Sequence, residues 1–261
     1  GRGGQYLSGA AVAGKKKITV AAWILTHPHN DHIGAIADFI RKYGSEIVPQ
    51  QVIFRFPAED SAAMQSQCDW ESYRTLTAAL AEGGVWESTA VVTPGMGDTL
   101  TVDGVDMHIL HTEEHAHGTD GLNAASMVFT LEVAGKKLLI TGDLVAGCMQ
   151  WLAETYGAAL KCDILQAVHH ASTHGSVAVY QEMVKPGETI VLYPTEYRRY
   201  WGNGSSYDPD SERERGYRFA TAQGEETPYN QWLEAHSAAN LFCYDGNAVI
   251  FLSDLHWLQE K

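Results

Sequence analysis

The stretch THPHNDHIG at residues 26–34 decides how this sequence is interpreted. It follows the apolar, β-rich run Ile18–Leu25, which predicts a buried strand that ends in a polar loop. Imidazole nitrogens and carboxylate oxygens are ligands that borderline divalent metals prefer. A solvated loop that happens to be rich in histidine is the alternative. The compact pattern favours a metal site, in which His27 and His29 can share one ion while Asp31 and His32 reach a second.

Strand and helix signals are interspersed along the rest of the chain. The predicted helices are Ile33–Tyr43 and Asp69–Glu82, and the predicted strands are Gln51–Phe56, Thr99–Val102, Val105–Leu110, Met127–Val133, Lys136–Ile140, Ile164–Val168, Thr189–Tyr193, Leu241–Tyr244 and Ala248–Leu252. Short turn sequences predict hairpins at Asp103-Gly104, at Ala134-Gly135 and at residues 245–247.

Two of these strands end in further candidate ligands. The apolar run LLITGD at residues 138–143 delivers Asp143, which could bridge two ions or simply cap a following helix. The run Ile164–Val168 leads directly into His169 and His170. His169 is the preferred ligand because it comes first after the strand. We expect His170 and His174 to support the ligands or to face the substrate.

Composition excludes several classes of protein. The chain has 261 residues, a formal net charge of −14 and 45% apolar residues, which is typical of a globular protein and not of a disordered or collagen-like one. The apolar runs are too short for a membrane helix. The acidic excess makes nucleic acid an unlikely partner, and the basic clusters weighed against this are Lys15–Lys17 and Arg213 with Arg215. The cysteines are far apart and are expected to be free thiols: Cys68, Cys148, Cys162 and Cys243.

Three strings together resemble the metallo-β-lactamase superfamily of binuclear metal hydrolases. They are THPHNDHIGA from residue 26, LLITGDL from residue 138 and VHHAST from residue 168, in the order of the family. The resemblance runs from about Ile18 to Ser176. The H-H-x-S form and the string NAASMV from residue 123 are similar to the branch that contains the hydrolase domain of DNA-uptake competence proteins and certain phosphorylcholine esterases.

The resemblance implies an α+β fold, an αββα sandwich of two mixed sheets flanked by helices. It also implies two divalent ions, with zinc as the expected metal and manganese or iron as alternatives. The implied metal ligands are His27, His29, Asp31, His32, His115, Asp143 and His169, and the implied catalytic groups are Asp31, Asp143 and His170. His115 is the candidate for the third histidine ligand of the first ion. The alternatives are His117 or no third histidine at all.

The resemblance also raises a question about the start of the chain. The family normally places strands before the first histidine strand, yet 26 residues precede His27 and residues 1–14 do not look like strands. We expect either missing opening strands or a portion of a longer protein. No export signal is recognisable in these residues, so the localisation stays open. We predict one domain over residues 1–261, with an irregular segment at residues 195–232 that is either a lid or an ordinary surface excursion.

The expected chemistry is hydrolysis by a water that bridges the two ions. The branch resemblance favours a phosphodiester or a phosphorylated small molecule as the substrate. A lactone, a thioester or another carboxyl ester would suit the same ligands. A rival from another class is a metal-binding module of a larger protein, without catalysis. The expected partner is a small molecule, and the oligomeric state is left open.

Overall fold

Two β-sheets form the framework of the chain, which the computed structural model describes at residues 19–116, 121–171, 175–195 and 228–260. The strands are β1 (Val20–Ile24), β2 (Pro49–Ile53), β3 (Ala90–Val92), β4 (Thr99–Val102), β5 (Val105–His111), β6 (Val128–Val133), β7 (Lys136–Ile140), β8 (Ile164–Gln166), β9 (Ile190–Tyr193), β10 (Ala239–Phe242), β11 (Asn247–Phe251) and β12 (His256–Glu260). The helices are α1 (Asn30–Tyr43), α2 (Ala62–Gln67), α3 (Trp70–Leu80), α4 (Gly121–Ala124), α5 (Ala146–Tyr156), α6 (Val177–Met183) and α7 (Pro228–His236).

The larger sheet has seven strands in the order β10-β9-β8-β7-β6-β5-β4. Strands β7 to β10 pair in parallel, whereas β4 to β7 pair antiparallel through the two hairpins predicted at Asp103-Gly104 and Ala134-Gly135. The smaller sheet, β1-β2-β3, is parallel over its described strands. Helical crossovers through α1 and through α2 and α3 separate its strands and allow this pairing.

Three apolar clusters arrange the sheets and helices in four layers. The smaller sheet packs its outer side against α1 and α3 through residues such as Ile36, Phe39 and Leu76. Side chains including Ile53 and Phe129 fill the space between the two sheets. The outer side of the larger sheet packs against α5, α6 and α7. The order helix, sheet, sheet, helix confirms the predicted αββα architecture.

The end of the chain differs from the prediction. The strand at Leu241–Tyr244 was expected to form a hairpin with Ala248–Leu252. Instead β10 adds in parallel to β9, with Ala239 opposite Ile190, while β11 pairs with β12, which was not predicted. The edge of β9 and the next strand along the chain compete to pair with β10. The spacing of residues in the sequence cannot show that β9 is the partner. The short strand β3 was also missed.

Part of the predicted irregular segment is helical, because Pro228–His236 forms α7. The remainder of that segment, residues 196–227, lies outside the described residues, as do residues 1–18 with the lysine cluster. Over the described part of the chain, none of the helices has the length and apolar character needed to cross a membrane.

Candidate metal centre

Three segments bring the candidate ligands to one edge of the sandwich. The loop after β1 carries His27 and His29, and the first turn of α1 carries Asp31 and His32. Asp143 follows β7, and the turn after β8 carries the two remaining histidines. Because β7 and β8 are adjacent and parallel, their carboxyl ends meet at this edge, where ligands commonly bind in such sheets.

Asp143 lies at the centre of the histidines. Its Oδ2 atom is 3.3 Å from Nε2 of His32, 3.3 Å from Nε2 of His170, 3.5 Å from Nε2 of His169 and 3.9 Å from Nε2 of His27. The Asp143 residue is only 2% exposed. A buried carboxylate among four imidazoles has the position that a ligand shared between ions would need.

The tightest group within this arrangement consists of Asp31, His32, Asp143 and His170. One donor atom from each lies within 4.8 Å of the others. Nε2 of His170 is 3.1 Å from Oδ2 of Asp31 and 3.3 Å from Nε2 of His32. His170, for which a supporting role was predicted, therefore lies closer to the other donors than the preferred ligand His169 does.

A second pair of donors lies beside this group. Nε2 of His27 is 3.1 Å from Nδ1 of His29, so both nitrogens approach one point. His27 is fully buried, which suits a ligand whose ring orientation is fixed by its surroundings. The prediction that these two histidines share an ion is compatible with this geometry.

His115 lies apart from the cluster. Its ring stacks on Trp151, with centroids 5.3 Å apart, and forms an edge contact with His111. Within the described residues, no hydrogen bond or ion pair joins His115 to Asp143. The structure thus does not bring His115 to the other candidates, and its role as a ligand stays a prediction. His117 and His174 lie outside the described residues.

The backbone turns sharply at both strand ends. His169, His170 and Ala171 have φ values of 48°, 55° and 61°, and Gly142 has a φ of 54°. Residues other than glycine rarely adopt this left-handed conformation, and such strain is concentrated at functional sites. The turn directs both imidazoles toward Asp143, which explains why the order of the histidines along the strand did not predict their placement.

The charges of the cluster depend on one another. Burial by itself raises the pKa of Asp143, but hydrogen bonds from His170 and His32 outweigh it and hold the pKa below its usual range. The hydrogen bond from His170 also lowers the pKa of Asp31. Burial by itself lowers the pKa of His170, yet its bonds to Asp143 and Asp31 raise that pKa to about 10. Burial lowers the pKa of both His27 and His29.

A divalent cation fits these charges. At neutral pH the two carboxylates are ionised, and the His170 proton lies between them, where a metal ion would compete for the same atoms. Oδ1 of Asp143 is buried and has no hydrogen-bond partner among the described residues. An unsatisfied buried carboxylate oxygen is costly, and coordination of a cation would satisfy it. The donor set of imidazoles and carboxylates suits zinc, manganese or iron.

Three supporting groups were not predicted from the sequence. The Thr26 hydroxyl contacts Nδ1 of His27 and of His32, and the Ser126 hydroxyl contacts Nδ1 of His27. The carbonyl of Pro194 accepts a hydrogen bond from Nδ1 of His170. The position of Thr26 directly before the first histidine is a usable sequence signal. For Ser126 and Pro194 no local signal exists, because the chain brings them in from distant positions.

Comparison with known proteins shows the family of this chain. Residues 2–195 match the family model described as the metallo-beta-lactamase superfamily. Curated protein sequences give no significant match. Among solved structures, the chain is similar to the metallo-beta-lactamase fold protein YhfI from Bacillus subtilis, with 14% identity and a TM-score of 0.42 over 85% of this chain and 73% of that one.

The chain is also similar to two further solved structures. Igni18, a metallo hydrolase from Ignicoccus hospitalis, is 16% identical with a TM-score of 0.36, over 78% of this chain and 73% of that one. CmlA, a diiron beta-hydroxylase from Streptomyces venezuelae, is 15% identical with a TM-score of 0.39, over 84% of this chain. This chain spans 34% of that CmlA chain.

The family model covers about three quarters of the sequence and includes every candidate ligand named above. The αββα layers and the clustered histidines and aspartates are the features expected of a divalent-metal hydrolase. The chain therefore belongs to the metallo-β-lactamase superfamily.

Proposed function

We propose that the chain hydrolyses a phosphodiester or a phosphorylated small molecule at this centre, with two bound divalent ions and zinc as the first choice. The observation that carries the proposal is the convergence of Asp31, His32, Asp143 and His170 within 4.8 Å. Two ions, when bound, would lower the pKa of water and polarise the bond to be cleaved.

The chain divides the ligands between two halves of the centre. His27 and His29 would hold one ion, and Asp31, His32 and His170 the other, with Asp143 shared between them. This assignment follows the distances, since Nε2 of His170 lies close to both Asp31 and Asp143, and Nε2 of His169 lies close to Asp143.

We assign proton transfer to His169. Its Nε2 atom lies 3.5 Å from Oδ2 of Asp143 and its side chain is 17% exposed, so it can meet both the centre and a substrate. A proton held at this Nε2 could pass to the departing oxygen of the substrate. His170, the predicted catalytic histidine, takes the role of a ligand in this assignment.

The surroundings favour a small substrate. A cavity of about 350 Å³ opens beside Asp31, and its walls carry the carboxylates of Asp38, Asp69 and Glu71 as well as the guanidinium of Arg41. Arg41 is held there by Asp38 and Glu71. A cavity of this size is in the range of small-molecule sites. This size, together with the net charge of −14, which repels polyanions, supports a small compound over bulk nucleic acid.

The direct test combines metal content with a substrate panel. Protein purified without a histidine tag is assayed by plasma mass spectrometry, then with bis-p-nitrophenyl phosphate, a phosphomonoester, a lactone and a thioester. We expect about two ions per chain and turnover of a phosphate ester. If only the lactone or the thioester is hydrolysed, the substrate is a carboxyl ester and the proposed phosphate-ester class is wrong. Absence of metal after reconstitution would contradict the metal-dependent function, and a loaded but inactive protein would favour a metal-binding module.

A further inference from the structure

Two hydroxyl groups contact the histidines of the centre on the side opposite to the metal-facing nitrogens. Oγ1 of Thr26 lies 3.1 Å from Nδ1 of His27 and 3.4 Å from Nδ1 of His32. Oγ of Ser126 lies 3.3 Å from Nδ1 of His27. The other nitrogens of both rings, the Nε2 atoms, face Oδ2 of Asp143.

We propose that the Thr26 and Ser126 hydroxyls act as positioning groups that keep the proton of His27 on Nδ1 and orient His27 and His32 for metal binding. A neutral imidazole has one N–H donor and one lone pair, and the hydrogen bond made by one nitrogen sets which of them faces the metal. The Thr26 oxygen has two lone pairs, enough to accept an N–H from each ring.

Ser126 links this orientation to the central carboxylate. Its hydroxyl oxygen also accepts a hydrogen bond from the backbone N–H of Asp143 at 3.2 Å, and its carbonyl oxygen lies 3.0 Å from Nδ1 of His111. Ser126 is fully buried, so these contacts are made without competition from solvent. One side chain thus connects the loop after β1 with the end of β7, which belong to different sheets.

Close packing keeps the two hydroxyls in place. Gly142 lies between them, and a Cβ atom added there would be 3.1 Å from Cβ of Thr26 and 3.1 Å from Cβ of Ser126. The backbone N–H of Met127 also donates to the carbonyl of Thr26 at 2.9 Å. The three chain segments therefore approach closely enough to fix both hydroxyl positions before any ligand binds.

The inference rests on the proposed metal-dependent function, but its first test needs neither metal nor substrate. Long-range ¹⁵N–¹H correlation spectra of the metal-free full chain report which ring nitrogen of His27 carries the proton, with His27→Gln identifying the signals. We expect the Nδ1–H form in the wild type. A wild-type His27 protonated on Nε2 would overturn the proposal, even if the protein binds metal and hydrolyses a substrate.

Matched variants test the role of each hydroxyl. Thr26→Val removes the hydroxyl at nearly constant shape, and Thr26→Ser restores it. Loss of a group that orients a ligand typically costs about 10- to 100-fold in metal affinity. Zinc affinity is measured by competition with a chromophoric chelator. We expect a loss of that size in Thr26→Val and in Ser126→Ala. Thr26→Ser should bind zinc with nearly wild-type affinity. Equal zinc affinity of the valine and serine variants, with both folded by circular dichroism, would refute the role of Thr26.

Discussion

Oδ2 of Asp143 lies 3.3 Å from Nε2 of His170, although the two residues leave the ends of different strands. Strands β7 and β8 pair in parallel with Leu139 opposite Leu165, so both chains reach the same edge of the sheet. The left-handed backbone at His170 then turns its ring back toward the aspartate. The contact that anchors the candidate centre is therefore a product of strand order and of one local turn.

Replacement of Asp143 should remove the centre. Asp143→Ala deletes the carboxylate that four imidazoles approach, so we expect loss of bound metal and of hydrolysis. Because loss of a group that merely orients a ligand costs about 10- to 100-fold in metal affinity, loss of the shared ligand should cost at least as much. Cys68→Ser is the control, since Cys68 takes no part in the cluster. Full metal content in Asp143→Ala would contradict the assignment.

Replacement of His169 and replacement of His170 should have different effects on metal content and on turnover. His170→Asn is expected to lower the number of bound ions, because His170 contacts both Asp31 and Asp143. His169→Asn should retain metal but lose about 10²- to 10⁴-fold in turnover, the usual contribution of a positioned proton donor. Metal content and kcat measured on the same preparations check this pair. If His169→Asn loses metal and His170→Asn retains it, His169 is the ligand.

The metal-free protein should show a pH dependence that arises from His170. The pKa of this residue is raised to about 10 in the folded state, above the unfolded value of about 6.5. Its stabilising contribution is therefore complete below about pH 6.5 and lost as the pH rises through about 10.

Urea unfolding of wild type and His170→Asn in the presence of chelator measures this contribution. The difference in unfolding free energy should be largest near pH 6 and shrink toward pH 10. Comparing the two proteins removes the effect of His27 and His29, whose lowered pKa values act in the opposite direction. A difference that grows with pH would show that His170 is not the proton carrier between the carboxylates.

Two glycines with left-handed backbone should differ in their tolerance of alanine. Gly135 has a φ of 72° in the turn between β6 and β7, and an added Cβ there would meet no atom within 4 Å. Gly135→Ala should cost about 1–2 kcal/mol of stability from backbone strain alone. Gly142→Ala adds contacts with Thr26 and Ser126 and should cost more.

The Gly142 variant should also bind zinc more weakly than the Gly135 variant, because the contacts disturb the hydroxyls that orient His27. Thermal unfolding of the metal-free proteins and zinc titrations provide the two readouts. Equal stability losses in the two variants would show that the packing around Gly142 is less restrictive than the distances indicate.

Local patterns predicted most of the framework and the residue types of the centre. The strand before His27, the helix that follows and the hairpins at Asp103-Gly104 and Ala134-Gly135 depend on short-range apolar periodicity and turn chemistry, and each is found in the structure. Helices α2, α4, α5, α6 and α7 were not predicted. The parallel edge position of β10 was not predicted either, because pairing with β9 joins residues that a local pattern cannot compare.

The sequence by itself determined which groups meet: His27, His29, Asp31 and His32 are close along the chain, and Asp143 and the His169-His170 pair each end an apolar strand. Only the tertiary structure decided how they meet. Three left-handed residues place the ring of His170 close to Asp31 and Asp143, and the ring of His115 stacks on Trp151 instead. Both are consequences of packing between distant segments, which fixes ring directions that residue order leaves free.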